Sequence, residues 1–135
     1  MCDEDKVFLL FGSIKKKLYK IINNEIKKYN ISVPEAIYLL VINNNENISF
    51  KELTSIVDCD KAMTTKVMNS LKKKELVNNN TKDISLTNKG NILVENVSND
   101  LTILKEKIIK KIKKKELKRI FDNIKEFNMI LEEIC

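Results

Sequence analysis

The residues best suited to chemistry in this 135-residue chain lie in one short segment, Asp60 to Lys74. As a helix, that segment turns Thr64, Val67, Met68 and Leu71 inward and leaves Lys61, Ala62, Thr65, Lys66 and Asn69 outward. Lys61 and Lys66 suit phosphate or guanine contact, Asn69 can pair bidentately with adenine, and Ala62 or the Thr65 methyl can meet a thymine methyl. Such side chains fit the major groove of a DNA duplex, although any amphipathic helix also has a polar outer face. Lys51 and Lys82 are further candidates that read as readily as solvated charge.

What the chain lacks narrows the chemistry. It has no His, which excludes Ser-His-Asp and Cys-His pairings and every His-ligated metal site. Its two glycines, Gly12 and Gly90, are isolated, so no phosphate-cradling glycine loop exists. Cys2, Cys59 and Cys135 are odd in number and widely spaced, implying neither a disulfide framework nor a zinc knuckle. No carboxylate pair or nucleophile–base pair stands out, so neither an enzyme nor a cofactor is expected, and no metal.

The formal charge of +6 is compatible with a nucleic acid partner. Its weight is tempered by composition. Lys, Ile and Asn make up 60 of the 135 residues, with a single Arg, Arg119, a bias that an A+T-rich coding sequence can also produce. Residues 49–90 carry +3, whereas 105–119 carry +7. The start, Met1-Cys2-Asp3-Glu4-Asp5, is acidic and unlike a signal peptide. The longest apolar stretches, Val7–Phe11 and Ala36–Ile42, fall far below the roughly 20 residues of a membrane span. A cytoplasmic protein with no membrane partner is expected.

The elements that must position the segment follow from periodicity and caps. Val7, Leu10, Phe11, Ile14, Leu18, Ile21, Ile22 and Ile26 mark one amphipathic helix from about Lys6 to Tyr29, ended by Asn30. Ser32 and Glu35 form a capping box, with Pro34 in the first turn of a second, central helix through Ala36–Ile42. A second box, Ser49 with Glu52, opens a short helix from Phe50 to Val57, and Ile48 can staple onto Leu53. Asp58-Cys59-Asp60 is a tight break with Asp60 as the next N-cap. Two short helices joined this way make a helix-turn-helix pattern. Leu76-Val77, the turn Asn78 to Asp83, and Ile84-Ser85-Leu86 predict a small β-hairpin. Thr87 caps a long helix with a break near Lys113–Lys115. The last helix carries a heptad seam of Leu117, Ile120, Ile124, Phe127, Leu131 and Ile134.

This order resembles the MarR family of winged helix-turn-helix transcriptional regulators over essentially the whole chain. Leu53 through Leu71, followed by Lys72-Lys73-Lys74-Glu75-Leu76-Val77, is similar to the family's helix, turn, recognition helix and first wing strand. Leu86-Thr87-Asn88-Lys89-Gly90 is similar to the L-T-x-x-G that ends the wing and starts the long helix. The resemblance implies a mainly α fold with a small β-hairpin wing: one domain over 1–135, with a reading head at 31–90 and dimerisation helices at 1–30 and 91–135. One departure stands out. Relatives carry a longer wing with a basic, Arg-bearing turn for the minor groove, whereas Asn78-Asn79-Asn80-Thr81-Lys82-Asp83 is short and holds no Arg.

The resemblance implies double-stranded DNA as partner, read at a pseudo-palindromic operator by a homodimer whose recognition helices lie about one DNA turn apart. The apolar seams, including Leu10, Ile14, Leu117, Ile120, Ile124, Phe127 and Leu131, would pair across the two-fold axis. Many relatives bind phenolic ligands between the first helix and the reading head. Phe8, Phe11, Tyr19, Tyr29 and Tyr38 could line a pocket for a small aromatic effector or simply be core. Cys59, ahead of an N-cap, is expected to be a small buried residue. A rival reading is a similar dimeric scaffold that binds a protein and has lost tight DNA binding along with the longer wing.

Overall fold

The computed structural model describes residues 1–78 and 80–135. It contains six α-helices among the described residues: α1 (Asp3–Ile26), α2 (Val33–Asn44), α3 (Phe50–Val57), α4 (Lys61–Lys73), α5 (Asn88–Ile109) and α6 (Lys114–Ile134). The chain forms two compact units, Met1–Leu101 and Thr102–Cys135.

In the first unit, α1 runs into a 3-10 turn at Lys27–Tyr29 and stops at Asn30, which takes the left-handed conformation with φ 57°. Asn tolerates this region because its short polar side chain can bond locally. The Ser32–Glu35 capping box is complete: Ser32 Oγ accepts from the Glu35 N–H at 3.2 Å, and Glu35 Oε1 accepts from the Ser32 N–H at 3.0 Å. The second box is only half formed. Ser49 Oγ accepts from the Glu52 N–H, but the Glu52 carboxylate takes the Ser49 hydroxyl instead of its N–H. The core is built from Ile26, Tyr38, Leu39, Ile48, Leu53, Leu71, Ile84 and Val97, all nearly sealed from solvent. Ile48 and Leu53, the two residues of the expected staple, are both buried.

The expected hairpin does not appear as a ladder. Among the described residues, pairing is limited to two isolated antiparallel bridges, Ile48 with Ile84 and Val77 with Leu86. Segments of two and three residues are too short for a regular ladder, and the returning one divides its pairing. Ile84 donates its N–H to the Ile48 carbonyl ahead of α3 at 2.8 Å, while Ser85 accepts from the Asn78 N–H at 3.1 Å. Asn78 closes the turn with its side chain, donating to the Asp83 carbonyl and to Ser85 Oγ. Asn79, part of that expected turn, lies outside the described residues.

Gly90 explains the end of the wing segment. A Cβ there would stand 2.1 Å from the Leu76 carbonyl oxygen, so only glycine lets the first turn of α5 lie against the Leu76 backbone. Thr87 Oγ1 caps that turn by accepting from the Gly90 N–H at 3.1 Å.

In the second unit, the end of α5 and α6 are separated by a break at 110–113. On α6, Ile120, Ile124 and Leu131 are exposed, while Leu117 and Phe127 are half-buried. On α1, in the first unit, Leu10 and Ile14 are exposed together with Phe8, Leu9 and Phe11. Among the described residues, no helix is long and apolar enough to cross a membrane.

Candidate nucleic-acid interface

Local hydrogen bonds shape the helix-turn-helix. Asp58 adopts the left-handed conformation with φ 55° and ends α3. Its N–H donates to Ser55 O, and the Cys59 N–H donates to Thr54 O. Asp60 Oδ1 then accepts from the Met63 N–H at 2.7 Å, opening α4 as an N-cap should. Cys59, expected to be buried, is exposed instead. Thr64, one turn into α4, is fully buried, and its hydroxyl lies 3.2 Å from the Asp60 carbonyl.

Thr64 is also the centre of a hydroxyl chain that sets the pitch of α4. Its Oγ1 lies 3.0 Å from Tyr38 Oη on α2 and accepts from Thr54 Oγ1 on α3 at 3.0 Å. Burial raises the Tyr38 phenol above its ordinary pKa; the Thr64 hydrogen bond opposes this, and the nearby Cys59 and Asp60 reinforce it. Three helices are therefore registered through three side chains. Val67, Met68 and Leu71 complete the buried face of α4, as the periodicity predicted.

The far end of α4 is held by charge. Lys74 Nζ donates to Glu35 Oε1 at 3.0 Å and to the Asn30 carbonyl at 2.8 Å, and Ser70 Oγ donates to Glu35 Oε2 at 3.0 Å. Burial pushes the Glu35 carboxyl up, but the Ser32 N–H, Lys74 and Ser70 together outweigh it and hold the group below its ordinary pKa. Glu35, visible in the sequence only as a capping residue, thus also anchors the candidate recognition helix.

With both ends fixed, Lys61, Ala62, Thr65, Lys66 and Asn69 all lie exposed on the outer face of α4. The Thr65 hydroxyl turns back to the Lys61 carbonyl at 2.9 Å, which satisfies its donor within the helix. Lys51 at the start of α3 and Lys82 in the wing segment are also exposed. Together with Lys61 they border one concavity of about 720 Å³, whose other lining residues are Ser49, Phe50, Thr54 and Thr81. Ala62, Thr65, Lys66 and Asn69 are not part of it. Phe50, Thr54 and Thr81 were missed by sequence reasoning; a bulky aromatic opening a short helix at Phe50 was the available signal.

Of the five aromatic candidates, Tyr38 is buried in the core and Phe8, Phe11 and Tyr19 are exposed on α1. Tyr29 borders a second cleft of about 390 Å³ with Ile31, Lys74, Leu76, Lys89 and Leu93. Its hydroxyl donates to Asp100 on α5, which also takes an ion pair from Lys28 at 3.0 Å.

No family model matches the sequence, and no curated protein is similar to it. Solved structures are similar in fold. MarR of Staphylococcus aureus in complex with salicylate and kanamycin superposes with a TM-score of 0.85 at 20% identity, covering 98% of this chain and 94% of that one. MepR of S. aureus, seen in a DNA complex, gives 0.87 at 14% identity over 96% and 99% of the two chains. A MarR/EmrR family transcriptional regulator from Acinetobacter sp. ADP1 gives 0.87 at 18% identity over 98% and 99%. The fold of this chain is that of the MarR-family transcriptional regulators.

Proposed function

We propose that this protein is a sequence-specific DNA-binding transcriptional regulator that acts in the cytoplasm as a homodimer on a pseudo-palindromic operator. The observation that carries the proposal is the outer face of α4. Lys61, Lys66 and Asn69 stand exposed on a helix whose inner face is locked at both ends. In this fold, MepR has been captured with DNA. Lys66 and Asn69 supply base-edge contacts in the major groove, Ala62 and the Thr65 methyl supply apolar ones, and lysines supply phosphate contacts. The exposed seams of Leu10 and Ile14 on α1, and of Ile120, Ile124 and Leu131 on α6, with Leu117 and Phe127 beside them, are apolar surface that a second copy would cover.

The cleft beside Tyr29 suits a small aromatic effector, with Ile31, Leu76 and Leu93 as apolar lining residues and Lys74 and Lys89 at its border. Salicylate in the S. aureus MarR complex supports that reading.

The test is a titration of the protein onto its own upstream DNA and onto a scrambled duplex at two ionic strengths. Selective binding that weakens steeply with salt is expected. Equal, weak binding to both duplexes would overturn the proposal. Replacing Lys66 and Asn69 together with Ala should remove selectivity and leave the oligomeric state intact.

A further inference from the structure

The concavity bordered by Lys51, Lys61 and Lys82 has a chemistry of its own. Its inner lining combines the Phe50 side chain with Thr54 and Thr81, and its three lysines come from three different elements. Among the described residues, none of these three ammonium groups takes part in an ion pair or hydrogen bond, whereas Lys74 and Lys28 are both committed to carboxylates. The neighbouring carboxylates keep their charge but form no ion pair with these lysines among the described residues. Glu52 accepts from Ser49, Asp60 caps α4, and Asp83, next to Lys82, is not among the lining residues.

The wing segment is also held close. The Phe50 N–H donates to the Thr81 carbonyl at 3.0 Å, and the Ile84 N–H donates to the Ile48 carbonyl at 2.8 Å. These two bonds tie it to the start of α3 on both sides of Lys82. Asn80 Oδ1 accepts from the Lys82 N–H at 3.0 Å and folds the turn on itself. Tethered at Thr81 and Ile84 and holding no Arg, the segment offers a narrow groove only the single cation of Lys82.

We infer that this concavity seats the sugar–phosphate backbone of duplex DNA, and that the wing segment is one jaw of this clamp and not a minor-groove reading arm. The inference rests on the DNA-binding reading above. Phe50 and the threonine methyls face the apolar edge of deoxyribose, and the three lysines take successive phosphates. Such contacts fix register on the duplex and carry no sequence information.

The test uses the full chain and its variants Lys51→Gln, Lys61→Gln and Lys82→Gln, with Lys111→Gln as a control on the basic block outside the seat. Each binds the protein's upstream DNA, a scrambled duplex, and an upstream duplex whose flanking A·T pairs are exchanged for G·C. Each seat variant should weaken binding to all three duplexes by the same factor and flatten the slope of log affinity against log salt by about 1. A roughly fourfold rise in salt should then cost each seat variant about fourfold less affinity than it costs the wild type. Lys111→Gln should leave the slope unchanged. An effect of Lys82→Gln confined to the A·T flank would overturn the inference in favour of groove reading. Unchanged slopes, or an equal effect of Lys111→Gln, would overturn it too. Wild-type protein that binds no duplex would instead overturn the DNA-binding reading, and the clamp with it.

Discussion

Lys74 Nζ and Glu35 Oε1 lie 3.0 Å apart and join the last turn of the candidate recognition helix to the first turn of α2. The Glu35 side chain is 8% exposed and that of Lys74 is 30% exposed, so the pair is shielded on the carboxylate side. The two residues are 39 positions apart in the chain. One carboxylate therefore caps a helix locally and anchors another at long range.

The pair should make stability depend on acid. The folded-state pKa of Glu35 is depressed below its ordinary value of 4.5, so its contribution is present above that pH and is lost as pH falls through the lower folded value. Urea unfolding at successive pH values should show wild-type stability falling below about pH 4.5 more steeply than that of Glu35→Gln. At neutral pH, Glu35→Gln should cost about 1–2 kcal/mol, since the cap survives and the ion pair does not.

Two adjacent threonines on α4 should separate architecture from contact. Thr64 is fully buried and bonded to Tyr38 and Thr54, so Thr64→Val should cost about 1–3 kcal/mol in chemical unfolding. Thr65 is exposed, and Thr65→Val should change stability by less than about 0.5 kcal/mol. Thr65→Val keeps the methyl proposed to meet thymine, whereas Thr65→Ser removes it and should weaken operator binding.

Gly90→Ala should be poorly tolerated. The added methyl would meet the Leu76 carbonyl oxygen at 2.1 Å, an oxygen that already accepts from the Thr87 N–H at 3.1 Å. Either α5 or the wing segment must shift, at a cost of about 2–4 kcal/mol, readable as a lowered urea midpoint.

The proposed homodimer can be tested without DNA. Sedimentation velocity should give twice the chain mass at micromolar concentration. Leu10→Glu and Ile124→Glu alter exposed side chains of the separate chain, so each should leave its helicity intact. Each should weaken association by about 3 kcal/mol or more, roughly 100-fold, because it would place a charge in an apolar seam. A wild-type chain that sediments as a monomer would rule out the two-fold arrangement.

Helix positions were legible in the sequence because their signals are local. Caps act across three residues and amphipathic faces repeat every three or four, so Ser32, Asp60, Thr87 and the inward face of α4 could all be read directly. The outward set on α4 followed by subtraction. Tertiary structure decided what depends on distant partners. It withdrew the expected β-ladder by pairing Ile84 with Ile48, and it left Cys59 exposed. It gave Glu35 a second role at Lys74 and gathered Lys51, Lys61 and Lys82 around one concavity. Side chains tens of residues apart meet only after the core has closed, and no spacing rule within a helix or turn encodes that meeting.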